Sequence, residues 1–156
     1  MKILLVPIDF SAASRSLLQT ATALAQSLSA RLVVLHVLQP IAPISDPLMM
    51  PDMAQIASMQ KAAEQDARAQ LTRACEKVAA QGVAVEPELF DGPASAGILE
   101  RACSLPADLV ILGSHGHTAL YNLLLGSTSH AVLKKAPCPV VIVPSGSNKY
   151  QVSGSK

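Results

Sequence analysis

The chain has no tryptophan and only two phenylalanines and two tyrosines among 156 residues. So few rings leave nothing to sandwich a flavin and no row of platforms on which unpaired bases could stack. A flavodoxin-like electron carrier and a single-strand nucleic-acid binder are both disfavoured. Charge of one sign is missing too: twelve Lys and Arg stand against eleven Asp and Glu, for a net charge of +1. That balance leaves no basic footprint for a phosphate backbone. Cysteine is scarce, with Cys75, Cys103 and Cys138 far apart and in no Cys-x-x-Cys spacing. The pattern fits reduced thiols in a cytoplasmic protein, all three read as small buried apolar residues. Long apolar runs are absent as well. The opening M-K-I-L-L-V-P-I-D is broken at Pro7, too short for a signal peptide or a membrane span. The sequence therefore predicts a cytoplasmic protein with no membrane and no nucleic-acid partner.

What is present is aliphatic. Half the residues are apolar, and the length fits one domain with a sizeable core. Residues 2–9 form a continuous aliphatic run, the pattern of a strand buried on both faces, with pairing expected to end near Pro7. A helix follows, with Ser11 as a candidate N-cap and Leu17, Ala21, Leu24 and Leu28 on its apolar face, ending near Ala30. A second strand covers 31–38. His36 lies inside it, and a lone His in an apolar run reads as a hydrogen-bonded structural residue. From Gln39 to Asp52, a stretch that also holds the pair Met49 and Met50, four prolines forbid a helix. That long loop is a lid, an oligomer contact or plain disorder.

The spacing predicts a long helix over 53–81, with Ile56, Met59, Ala63, Ala67, Leu71, Ala74 and Val78 on one stripe and Gly82 as its stop. Its charges alternate in sign, which reads as a solvated face and not a binding patch. Residues 83–90 predict an edge strand, because Pro87 cannot donate to a ladder. A short helix follows Pro93, then a fourth strand from Leu109. A further helix runs from Gly126 to about Lys135, where Lys134 and Lys135 suit the negative end of its dipole. A fifth strand, Cys138 to Val143, completes one domain over 1–145, and 146–156 reads as a flexible tail. Strands alternating with helices imply α/β architecture: an open five-stranded parallel sheet with right-handed crossovers and helices on both faces.

The stretch that organises the rest follows the fourth strand. Gly113 and Gly116 allow a tight turn and close approach of a ligand to the backbone. Gly126, Ser127, Thr128 and Ser129 then open a helix whose free N–H groups suit an anion. The plain alternative is a turn and nothing more. Ligands in such sheets bind beyond the carboxyl ends of the strands, where strand order reverses. Asp9 emerges at the end of the first strand; it suits a ribose hydroxyl or a base amine, or caps the first helix, or does both.

Gly113-x-x-Gly116, nine residues, then Gly126-Ser127 resembles the G-2x-G-9x-G-[S/T] pattern of ATP-binding universal stress proteins. V-P-I-D-F-S at the start and A-P-C-P-V-V-I-V-P near the end look like that family's first and last strands. The resemblance implies a strand order of 3-2-1-4-5 and a homodimer joined through Cys138 to Val143. It also implies ATP, with Mg2+ or Mn2+, as a regulatory ligand hydrolysed slowly or not at all, and an unknown protein partner. Asp9, after Pro7 and Ile8, would meet the adenosine end, the Val37 backbone would read the adenine edge, and Leu112 would line the pocket. Gly113 and Gly116 would pass close to ribose and phosphates. Gly126, Ser127, Thr128 and Ser129 would hold the phosphate chain. His115 and His117 lie in the insert, where the pattern specifies nothing, and flank the phosphates or face water. No lysine follows the glycines, so this is no Walker loop. The positioned base and charge clamps of rapid hydrolysis are absent. The alternative is a nucleotide-free stress-related interaction protein on the same fold.

Overall fold

The computed structural model describes residues 1–40, 52–114 and 125–144. Strands β1 (Ile3–Pro7), β2 (Arg31–Leu38), β3 (Val85–Asp91), β4 (Leu109–Gly113) and β5 (Val140–Val143) alternate with helices α1 (Ala12–Leu28), α2 (Met53–Ala79), α3 (Ala94–Ser104) and α4 (Ser127–Lys135). The strands form one sheet in the order β3-β2-β1-β4-β5. All pairings are parallel. The chain steps outward from β1 to β3, returns to the far side of β1 and ends at β5. Strand order therefore reverses between β1 and β4.

Alternation along β1 divides the core. Leu4 and Val6 pack in one layer with Leu17 and Ala21 of α1 and Leu71 and Val78 of α2. Leu5 belongs to the opposite layer, with Ile98 and Ala102 of α3 and Val132 of α4. Both faces are covered, which is why the strand reads as an unbroken aliphatic run. α3 reaches the sheet at Gly97, where an added Cβ would lie 2.5 Å from the Phe90 ring and 3.2 Å from Val37 Cγ2.

Pro7 ends β1, and Pro87 sits on β3, an outer strand of the sheet, as its missing N–H requires. β3 is further tied inward by Arg31 to Glu86 and by Arg101 to Glu88 at 3.0 Å. The opposite outer strand, β5, starts at Val140 and not at Cys138. α1 stops at Leu28 because Ser29 takes a left-handed backbone, with φ of 51°. Asp52 ends the proline-rich connection as the N-cap of α2, in a capping box with Gln55. Residues 41–51 of that connection, Met49 and Met50 included, lie outside the described residues, as does the tail 146–156.

Two expectations need correction. The apolar stripe of α2 is buried only from Ala67 onward, through Leu71, Cys75 and Val78, while Met59 is 54% exposed. Length explains this: 27 residues of helix span about 40 Å. The eight-residue strand β2 beside it spans about 26 Å, so the amino-terminal half of α2 runs past the sheet. The thiols also differ from one another. Cys75 is buried, and burial pushes its thiol up to about 11, but Cys138 is half-buried and Cys103 exposed. Cys103 sits near the end of α3, where the helix turns its side to solvent.

Candidate functional site

A cleft of about 320 Å³ opens at the carboxyl ends of β1, β2 and β4, where strand order reverses. Its size falls in the range of about 300–1,000 Å³ typical of small-molecule sites. The cleft is lined by Pro7, Ile8, Asp9, Val37, Leu112, Gly113, Gly126, Ser127, Thr128 and Ser129. These positions are far apart in sequence and converge only because β1 and β4 are neighbours. Gly116 and His117, with His115, lie outside the described residues.

The wall from β1 into α1 is held by Asp9. Its Oδ1 accepts the Ser11 N–H at 3.0 Å and the Ser14 hydroxyl at 3.0 Å. Ser11 occupies the N-cap position as expected, yet its own side chain makes no capping bond. Its Oγ is buried without a hydrogen-bond partner beside the cleft. The carboxylate two residues earlier does the tethering. Phe10 between them has φ of 61°, the left-handed region that a bulky residue rarely occupies. Its ring stacks on His36 with centroids 4.2 Å apart. The His36 Nδ1–H donates to the Ile8 carbonyl at 2.9 Å. His36 is thus the structural residue the sequence suggests, and it also borders the cleft.

The facing wall joins β4 to α4. The Gly126 N–H donates to the Ser114 carbonyl at 3.0 Å. The Ser129 hydroxyl donates to the Gly113 carbonyl at 2.9 Å. Ser129 is buried, and its only O–H proton is committed to the fold. The first bond of α4 runs from the His130 N–H to the Gly126 carbonyl at 2.9 Å. Residues 127–129 therefore present their N–H groups ahead of the helical ladder, and Gly126 provides no side chain to cap them. Gly126 has φ of −56° and ψ of 154°, which any residue can adopt. Backbone torsion therefore does not require glycine there.

Asp9 is the only Asp, Glu, Lys or Arg lining the cleft among the described residues. No three His, Cys, Asp or Glu side chains among those residues are grouped to hold a metal ion. Linear reading missed Ser14, His36, Ala94 and Ile98 as lining residues. Ala94 and Ile98 come from α3, and only the packed sheet shows that the start of this helix reaches the strand ends. Ser14 had a signal, since one helical turn separates it from Ser11.

A doubly wound α/β domain with a ligand-sized cleft at its topological switch point is the class defined by this fold and site. The chain belongs to the universal stress protein family, whose model matches residues 1–144. It is 34% identical over 144 residues to the "Universal stress protein in QAH/OAS sulfhydrylase 3'region" of Thermus aquaticus, covering 91% of this chain and 98% of that one. Among solved structures, universal stress protein UspA from Lactobacillus plantarum superposes with a TM-score of 0.78 at 26% identity, covering 91% of this chain and 97% of that one. The universal stress protein from Archaeoglobus fulgidus in complex with dAMP shares the fold, with a TM-score of 0.64 at 19% identity and coverage of 91% and 97%. No helix among the described residues is long and apolar enough to cross a membrane.

Proposed function

We propose that the chain binds ATP in the strand-end cleft as a regulatory ligand, accompanied by Mg2+ or Mn2+, with slow or no hydrolysis. The observation that carries this reading is the uncapped start of α4. Its leading N–H groups face a cleft edged by Gly113 and Gly126 and by the hydroxyls of Ser127 and Thr128. In this reading Asp9 and the Val37 backbone, which line the same cleft, meet the adenosine end. Among the described residues the cleft offers no Lys or Arg to clamp a transferring phosphoryl group. That composition suits a holder of nucleotide better than a catalyst. A relative solved with dAMP supports an adenine nucleotide as the class.

Native mass spectrometry of the purified protein, followed by nucleotide analysis after denaturation, tests this reading. One ATP per chain with little ADP is the expected result; an empty protein that also ignores added ATP and magnesium overturns it. A second reading, a nucleotide-free interaction protein, draws on the internal bonds of Asp9 and Ser129, which serve the fold without any ligand.

The assembly proposed with this function is a homodimer formed through β5, in the cytoplasm, by one domain over 1–145. Val141→Asp is expected to shift the sedimenting species to monomer mass while circular dichroism stays native. An unchanged mass in a folded variant removes β5 from the interface.

A further inference from the structure

A second hollow, larger than the cleft at about 480 Å³, lies between α1 and α2. Both helices cover the same face of the sheet, and both contribute to its core layer. Above that layer a hollow is left between them. Gln26 of α1 donates from Nε2 to the Gln81 carbonyl beyond α2 at 2.9 Å, closing one end of the groove. Its floor is apolar, made by Phe10, Leu18, Ala74 and Val78. Thr22 adds no polarity to that floor, because its hydroxyl donates to the Leu18 carbonyl at 2.7 Å.

The rim has the opposite character. Arg15 from one helix faces Arg73 and Lys77 from the other, all three exposed, and no carboxylate lines the groove among the described residues. None of the three takes part in an ion pair among those residues. Among the acids of α2, Glu64 pairs with Arg68 and Asp66 accepts from Gln70, while Glu76 is exposed and does not line the groove. Arg73 and Lys77 stand four residues apart on one helix, where like charges repel. In a chain whose net charge is only +1, three cations without an ion pair among the described residues, set around an apolar floor, are complementary to a ligand with an apolar body and an anionic head.

We propose that the groove between α1 and α2 is a second binding site, for a small amphipathic carboxylate whose chain lies along Phe10, Leu18, Ala74 and Val78 and whose head meets Arg15, Arg73 and Lys77. The hollow is of ligand size, and its two halves divide the work. The floor removes hydrocarbon from water; the cations supply charge-assisted hydrogen bonds to the carboxylate. This assignment does not depend on what the cleft binds.

Decanoate, decanol and acetate separate the contributions of tail and head. Titration into uniformly 15N-labelled full-length protein, followed by amide shifts and calorimetry, should show saturable decanoate binding. Its perturbations should centre on α1 and α2 around Leu18 and Ala74. Decanol and acetate should each bind at least about tenfold more weakly, the equivalent of about 1.4 kcal/mol. In the double variant R73Q/K77Q, whose side chains are exposed and outside the core, decanoate affinity should fall about tenfold or more. The amide spectrum away from the groove serves as the check on folding. Absence of saturable decanoate binding overturns the proposal. Shifts that map to the cleft overturn it as well, as does equal affinity of decanoate for the folded double variant. Decanol binding as tightly as decanoate removes the cations from the site and overturns it in the form stated.

Discussion

Two hollows lie on either side of the first turn of α1, and they are built from different parts of the chain's chemistry. The cleft at the strand ends is walled by backbone, small hydroxyls and one carboxylate, with no cation among its described lining. The groove between α1 and α2 is floored by hydrocarbon and rimmed by Arg15, Arg73 and Lys77. The cleft exists because strand order reverses beside β1, so its position is a property of topology. The groove lies between two helices that share one face of the sheet, so its position is a property of side-chain packing. A site of the first kind leaves a signature in glycine spacing. A site of the second kind leaves none.

The strongest separation of the two should come from Gly126→Val. A branched side chain beside the cleft is expected to weaken ATP binding by about 100-fold or more, near 3 kcal/mol, and to leave decanoate affinity in the groove untouched. Equilibrium dialysis with each ligand reads both effects, and a folded variant with normal ATP affinity would remove Gly126 from the site. Gly97→Ala comes next. Its Cβ would meet the Phe90 ring and Val37, which costs about 1–3 kcal/mol of stability as overpacking. Thermal denaturation should show the loss. Because α3 packs on the face opposite the groove, decanoate should still bind the folded protein. An unchanged melting temperature would mean that Phe90 yields freely.

Asp9→Ala probes the turn between the two hollows. Losing the acceptor for Ser11 and Ser14 should cost about 1 kcal/mol of stability, the usual cost of deleting a helix-start anchor. If Asp9 also meets adenosine, ATP affinity falls by about tenfold or more; an affinity that stays level leaves it as an anchor only. The smallest effect is expected between the sites. Ile8 and Ser14 line both hollows, and Ser14 is bound to Asp9. Saturating decanoate should therefore change ATP affinity by about fivefold, with ATP changing decanoate affinity by the same factor. Calorimetry in each order checks the reciprocity, and independent affinities would show the two hollows to be uncoupled.

Legibility in the sequence follows the same division. The aliphatic runs, the break at Pro7 and the edge position of Pro87 were readable because each reports a constraint local to its strand. Strand order and the convergence of Asp9 with Gly113 and Gly126 came with the family motif. The helix-start role weighed for Asp9 is borne out by its bonds to residues 11 and 14, whereas Ser11, the candidate N-cap, makes no capping bond with its side chain. Arg73 and Lys77 read as part of a solvated, sign-alternating face, and both are exposed; that they border a groove with Arg15 is not visible in sequence, because the helix opposite them is distant along the chain. Periodicity likewise drew one apolar stripe along all of α2, since it records amphipathic spacing and not how far the sheet extends beneath.

The two outer strands of the sheet set what growth the molecule permits. β3 offers a neighbour an edge interrupted by Pro87, with Glu86 and Glu88 already bound to arginines. β5 runs Val140–Val143 without a proline. A body with one receptive rim can be joined once. Rim-to-rim contact then closes on a two-fold axis and stops, whereas two receptive rims would add copies into a fibre. For the dimer proposed through β5, the mass should level off as concentration rises, with the limit set by the blocked rim and not the open one.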